Sequence, residues 1–128
     1  MLNILPYAAI LTALFVVLSI RIIKLRRTLK IGLGDIGNDQ MLRAVRVNAN
    51  FAEYVPLSLL MIYLVETQGA LPAFVHTLGI LLLVGRFSHA FGVSHTKENF
   101  KFRVVGMAMT FTVLLLSATY LFFKYLLR

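Results

Sequence analysis

The chain contains no cysteine. That excludes a disulfide framework, a thiolate metal site and a cysteine nucleophile, and it leaves the redox compartment unread. Any thiol chemistry must arrive on a bound molecule. The first apolar run, about residues 5–25, has no acidic residue, and its polar groups are Ser19, Arg21 and Lys24. A small multidrug transporter with four short helices needs a lone carboxylate deep in that helix, so this reading lacks its central group. No positive n-region precedes the run, which is long enough to span a bilayer; a cleavable signal peptide is not expected. Histidines at metal-ligand spacing are also missing. His76, His89 and His95 are not three or four residues apart, so no metal site is expected. No Ser-His-Asp arrangement is visible, and Ser19, Ser58, Ser88 and Ser117 read as helix-packing hydroxyls.

What is present is apolar. Of 128 residues, 59% are hydrophobic, and the mean hydropathy of +0.85 is too high for a soluble core. The excess lies in four runs, about residues 5–25, 45–65, 71–91 and 104–123. The expected fold is all-α: one domain over residues 1–128, a four-helix integral membrane bundle. Arg26, Arg27 and Lys30 follow the first run. Gly32, Gly34, Gly37 and Asn38 mark a turn-rich loop after them, and Asp39 is a plausible N-cap for the second helix. Pro56 should free the Ala52 carbonyl, giving a kink or a local water just beside Glu53. Residues 68–72 read as a tight turn.

The net charge is +8. Most basic residues flank apolar runs, where they meet anionic headgroups, so membrane lipid is the expected partner and nucleic acid is not. The first and third connections hold Arg26, Arg27, Lys30, Lys97, Lys101 and Arg103, whereas the second holds no Lys or Arg. The positive-inside rule then puts the first and third connections in the cytoplasm and both termini outside, although Lys124 and Arg128 pull mildly the other way. The loop spells Gly32-x-Gly34-x-x-Gly37, but a membrane helix precedes it where a dinucleotide fold needs a strand, so it reads as a flexible turn.

Arg43, Arg46, Asn50 and Glu53 have offsets of 0, 3, 7 and 10. On an α-helix these fall within an arc of about 80°. Two readings compete: a structural ion-paired seam between helices, or a ligand site, since charge at membrane depth is costly. A ligand carrying both carboxylate and amine would satisfy the stripe, with arginines gripping carboxylates and Glu53 an ammonium. Arg86 and His89, three apart near the end of the third run, are either a snorkelling cation and a packed imidazole or part of the same site. Arg103 opens the fourth run, where the helix dipole disfavours a cation; it is either an interfacial anchor or a device for holding an anion.

The pattern Arg43-x-x-Arg46-x-x-x-Asn50-x-x-Glu53-Tyr54-x-Pro56 resembles the signature of the MAPEG family, the membrane-associated proteins in eicosanoid and glutathione metabolism. With four spans and small size, the resemblance covers the whole chain. Residues 50–56 and 85–90 resemble bacterial members more than the mammalian synthases, which implies a bacterial inner membrane. The resemblance implies a homotrimer with glutathione, a co-substrate, bound between neighbours near the cytoplasmic face. Arg46, Asn50, Glu53 and Tyr54 would hold the tripeptide, with Arg43 close by. Ser19 and Arg26 of the adjoining subunit sit where leukotriene C synthase relatives have a serine and, seven residues on, an arginine. Arg86 and His89 match a third-helix pair, and Arg103 matches the fourth-helix arginine proposed to lower the thiol pKa. Val93 replaces a tyrosine of some mammalian relatives, and Asn48 stands where some members carry glutamine.

The implied activity is a glutathione transferase acting on hydrophobic electrophiles, with hydroperoxide reduction as a companion. The alternative is a non-catalytic lipid- or fatty-acid-binding protein of the same fold.

Overall fold

The computed structural model describes residues 1–95 and 100–127. Lys97, Glu98 and Arg128, which enter the charge argument above, lie outside the described residues. Four helices follow one another: α1 (Leu5–Leu29), α2 (Asp39–Thr67), α3 (Pro72–Ser94) and α4 (Phe100–Leu126). Each extends beyond its apolar run at one end or both, which carries the polar residues at the run's edges into helix.

The ends show why the helices stop where they do. Lys30 closes α1 in the left-handed conformation, with φ 54°, and the Ile31 amide turns back to the Arg26 carbonyl. Gly34 and Gly37 supply positive φ in the loop, where the Gly37 amide donates to the Asp35 carboxylate. The N-cap of α2 is Asn38, one residue before the expected Asp39: its Oδ1 accepts from the Met41 amide at 2.9 Å. α2 then runs without interruption through Pro56.

Two helix ends are closed by side chains of other helices. Ile4, the N-cap of α1, has no side-chain bond of its own. The Glu66 carboxylate, in the turn where α2 leaves its apolar run, accepts instead from the Asn3 and Ile4 amides and from Asn3 Nδ2. Burial alone would raise the Glu66 carboxyl, but these donors hold it below the usual carboxylate range. At the other end of the bundle, α3 has no basic residue in its last turn. Arg21 of α1 donates to the Ser94 hydroxyl at 2.6 Å and its carbonyl at 3.3 Å, and Arg43 of α2 donates to the Val93 carbonyl at 3.4 Å. Two cations therefore close the negative end of the α3 dipole.

Among the described residues, α2 touches all three other helices, and α1 does not touch α4. α3 and α4 approach most closely, over glycines. A Cβ on Gly106 would stand 2.5 Å from the Gly85 carbonyl oxygen and 2.7 Å from the His89 nitrogen. The core holds Leu11, Val47, Ile62, Val75, Leu78, Leu82 and Val113, while Val17, Leu115 and Phe122 are exposed. An apolar exterior of this kind faces lipid, not water. By length and composition, α1, α3 and α4 can each cross a membrane. α2 is the longest helix, but its first half carries Asp39, Arg43, Arg46, Asn48, Asn50 and Glu53. The result is an all-α, four-helix, membrane-spanning fold.

Candidate functional site

The polar half of α2, the C-terminal half of α3 and the first turn of α4 meet at one end of the bundle. They enclose an open pocket of about 200 Å³, lined by Asp39, Leu42, Arg43, Arg46, Asn50, His89, Val93 and Arg103. The helical offsets account for Arg43, Arg46 and Asn50 sharing a wall. Close packing of α3 on α4 accounts for Arg103: a Cβ on Gly92 would lie 2.9 Å from the Arg103 amide nitrogen, so the start of α4 is held hard against α3. Ser88 Oγ fixes the same turn by donating to the Phe102 carbonyl at 2.9 Å.

Three guanidinium groups thus face one small volume. Arg43 is held from two sides. Its Nε donates to the Asp39 carboxylate at 2.9 Å while Nη1 reaches the Val93 carbonyl. Arg46 is exposed and makes no hydrogen bond or ion pair among the described residues. Arg103 is exposed in the first turn of α4, at the positive end of that helix's dipole. Asp39, with its side chain 58% exposed, is the only carboxylate lining the pocket among the described residues. Such a surface attracts an anion and favours the ionised form of an acid or thiol placed in it.

The other expected site residues stand elsewhere in the chain. Arg86 does not line the pocket. It is buried behind it, 1% exposed, with Nη1 donating to Asn50 Oδ1 at 2.8 Å and Nη2 3.4 Å from both the Gly106 carbonyl and the Met107 sulfur. Tyr54 packs edge-on against Phe111 of α4, ring centroids 5.6 Å apart. Glu53, at the far edge of the arc, is exposed on the outside of the bundle, without a hydrogen bond or ion pair among the described residues. Ser19 accepts from Asn48 Nδ2 at 2.9 Å across the α1–α2 seam. Arg26 braces the following loop through the Ile31 and Gly34 carbonyls.

Asp39, expected only as a cap, and Leu42, not expected at the site, both line the pocket. Asp39 stands one turn before Arg43, the spacing of a helical ion pair, and that signal was available. A second, apolar groove of about 250 Å³ lies between α1 and α2, lined by Leu11, Phe15, Phe51, Val55, Pro56 and Leu59 among others. Among the described residues no group of three or more His, Cys, Asp or Glu side chains could hold a metal ion.

A lipid-facing exterior around a cationic crevice at one end of a four-helix bundle defines a small multi-pass integral membrane protein. The chain belongs to the MAPEG family, whose pattern matches residues 4–123. It is 34% identical over 110 residues to the inner membrane protein YecN of Escherichia coli (strain K12), covering 86% of this chain and 82% of that one. The figures are the same for the YecN of Escherichia coli O6:H1 (strain CFT073). The resemblance to bacterial members therefore holds. No solved structure matches the chain.

Proposed function

We propose that the protein is a glutathione-dependent transferase of the bacterial inner membrane, joining glutathione to hydrophobic electrophiles that reach it through the bilayer. The single observation that carries this reading is the convergence of Arg43, Arg46 and Arg103, from two helices, on one pocket with Asn50 and His89. Glutathione has two carboxylates, an ammonium group and a thiol. Arg43 and Arg46 suit the carboxylates, and Asn50 suits the peptide backbone. Arg103 at a helix N-terminus suits the sulfur. A free thiol with a pKa near ~8.5 is mostly protonated at neutral pH, and a guanidinium beside it shifts the balance towards thiolate. The thiolate then attacks the electrophilic carbon. A C–S bond forms, the leaving group departs with its electron pair, and the thiol proton has already passed to water. Hydroperoxide reduction is a second outlet: the thiolate attacks the O–O bond, the alcohol leaves with a proton from water, and a second glutathione converts the sulfenic acid to glutathione disulfide and water.

The reading also supplies a reason for Glu53. A carboxylate on the outside of a bundle at membrane depth is costly unless something covers it. In a homotrimer, with the site shared between neighbours, Glu53 would reach the glutamyl ammonium, and Ser19 and Arg26 would approach from the adjoining copy.

Thermal stabilisation tests the proposal. Glutathione added to the detergent-solubilised protein should raise the melting temperature, S-alkyl derivatives should do so less, and a chlorodinitrobenzene-type electrophile should be conjugated. A second reading, a non-catalytic fatty-acid binder, draws on the apolar groove beside Pro56. Calorimetry separates the two: saturable binding of a fatty acid with none of glutathione would replace the transferase by the binder.

A further inference from the structure

Arg86 is an expensive residue. It is a guanidinium in the interior of a membrane bundle, 1% exposed, and no carboxylate pairs with it among the described residues. Its Nε is buried with no partner there, and its Nη2 contacts are long. Among the described residues its one short bond is to Asn50 Oδ1, at 2.8 Å. Asn50 is also a pocket residue. These two facts have a geometric consequence. Arginine offers only donors, so the amide atom facing it must be the oxygen, and the Asn50 NH₂ group is turned away.

We propose that Arg86 is a positioning residue that acts through Asn50: it locks the carboxamide with its NH₂ presented to the pocket as a donor for an anionic or carbonyl group of the ligand. Without Arg86 the amide is free to flip and present its oxygen, which repels the same group. The buried charge also polarises the amide along the Arg86–Asn50 axis, strengthening the donor on the pocket side. Among the described residues lining the pocket, Arg43, Arg46, Arg103 and the Asn50 NH₂ then all present donors, and Asp39 is the one carboxylate. This rests on the transferase reading only for the identity of the ligand; the orientation of the amide does not depend on it.

Two measurements test the inference. The first needs no ligand. In the wild-type protein the Asn50 side-chain NH₂ signal, assigned by its loss in Asn50→Asp, should exchange with water rapidly, as expected of a group facing the open pocket. A strongly protected NH₂ would overturn the proposal whether or not any Arg86 variant folds.

The second is a double-mutant cycle on glutathione binding with Arg86→Gln and Asn50→Ala. Each single change should weaken binding roughly tenfold, and the double variant should be little worse than either, because both remove the same donor. Arg86→Lys, which keeps a charge and a donor, should recover part of the loss. Strictly additive losses would overturn the coupling, as would unchanged affinity in Arg86→Gln. If the wild-type protein bound no glutathione, the transferase reading would fall, and the exchange experiment would still decide the role of Arg86.

Discussion

Arg43 Nε lies 2.9 Å from the Asp39 carboxylate one helical turn earlier, and both side chains line the same pocket. The pair therefore offsets the charge of one of the three guanidinium groups that face the pocket. An incoming carboxylate must compete with Asp39 for Arg43.

Asp39→Asn removes that competitor. Because the pair is partly exposed, stability should change by no more than about 0.5 kcal/mol. Glutathione affinity should rise roughly fivefold, the effect of removing one nearby like charge at high effective dielectric. Calorimetry on the purified protein checks both signs, and weaker binding would show that Asp39 contacts the ligand favourably.

Arg103→Ala should act on turnover. With the guanidinium gone, the bound thiol moves towards its ordinary pKa, and activity at neutral pH should fall about tenfold for each unit regained. Binding should change far less. The thiolate absorbance of bound glutathione as a function of pH measures this directly; an unmoved titration would remove Arg103 from thiol activation.

Gly106→Ala probes the α3–α4 seam. A methyl group there meets the Gly85 carbonyl and the His89 backbone at distances no real Cβ adopts. The helices must part, at a cost of about 1–3 kcal/mol. Gly92→Ala presses instead on the Arg103 amide and should reduce conjugation by displacing the first turn of α4. Thermal denaturation in detergent, read beside turnover, separates the two effects.

Glu66→Gln tests the cross-helix cap. The folded carboxyl lies below its ordinary value of 4.5, so its contribution is fully present above that value. It is lost as pH falls through the lower, folded pKa. Glu66→Gln should destabilise the wild-type protein by about 1 kcal/mol at neutral pH and lose most of that difference in acid. A penalty equal at both ends of the pH range would mean that the charge of Glu66 contributes nothing to the cap.

The four helices were legible because apolar runs of about twenty residues have few other physical outcomes. The stripe on α2 was legible by arithmetic, and Arg43, Arg46 and Asn50 share a wall as their spacing requires. Glu53 lies at the end of the same arc, and whether the edge of an arc falls inside or outside a bundle depends on where the neighbours sit. Arg86 and His89 show the limit more sharply. They are three residues apart, yet His89 lines the pocket while Arg86 passes behind Asn50 towards Gly106. That division is set by the close approach of α4, a tertiary fact that single-helix periodicity does not contain. The capping of α3 by Arg21 and Arg43 was hidden for the same reason.

The last helix supplies Arg103, while the other arginines of the pocket belong to the second. A nascent chain carries its carboxylate-gripping groups into the bilayer long before the group assigned to the sulfur has been synthesised. Any product cut short after α3 would keep its anchors yet lack one side of the crevice, so competence for the proposed chemistry would arrive in a single late step, when α4 swings in against Gly85 and Gly92.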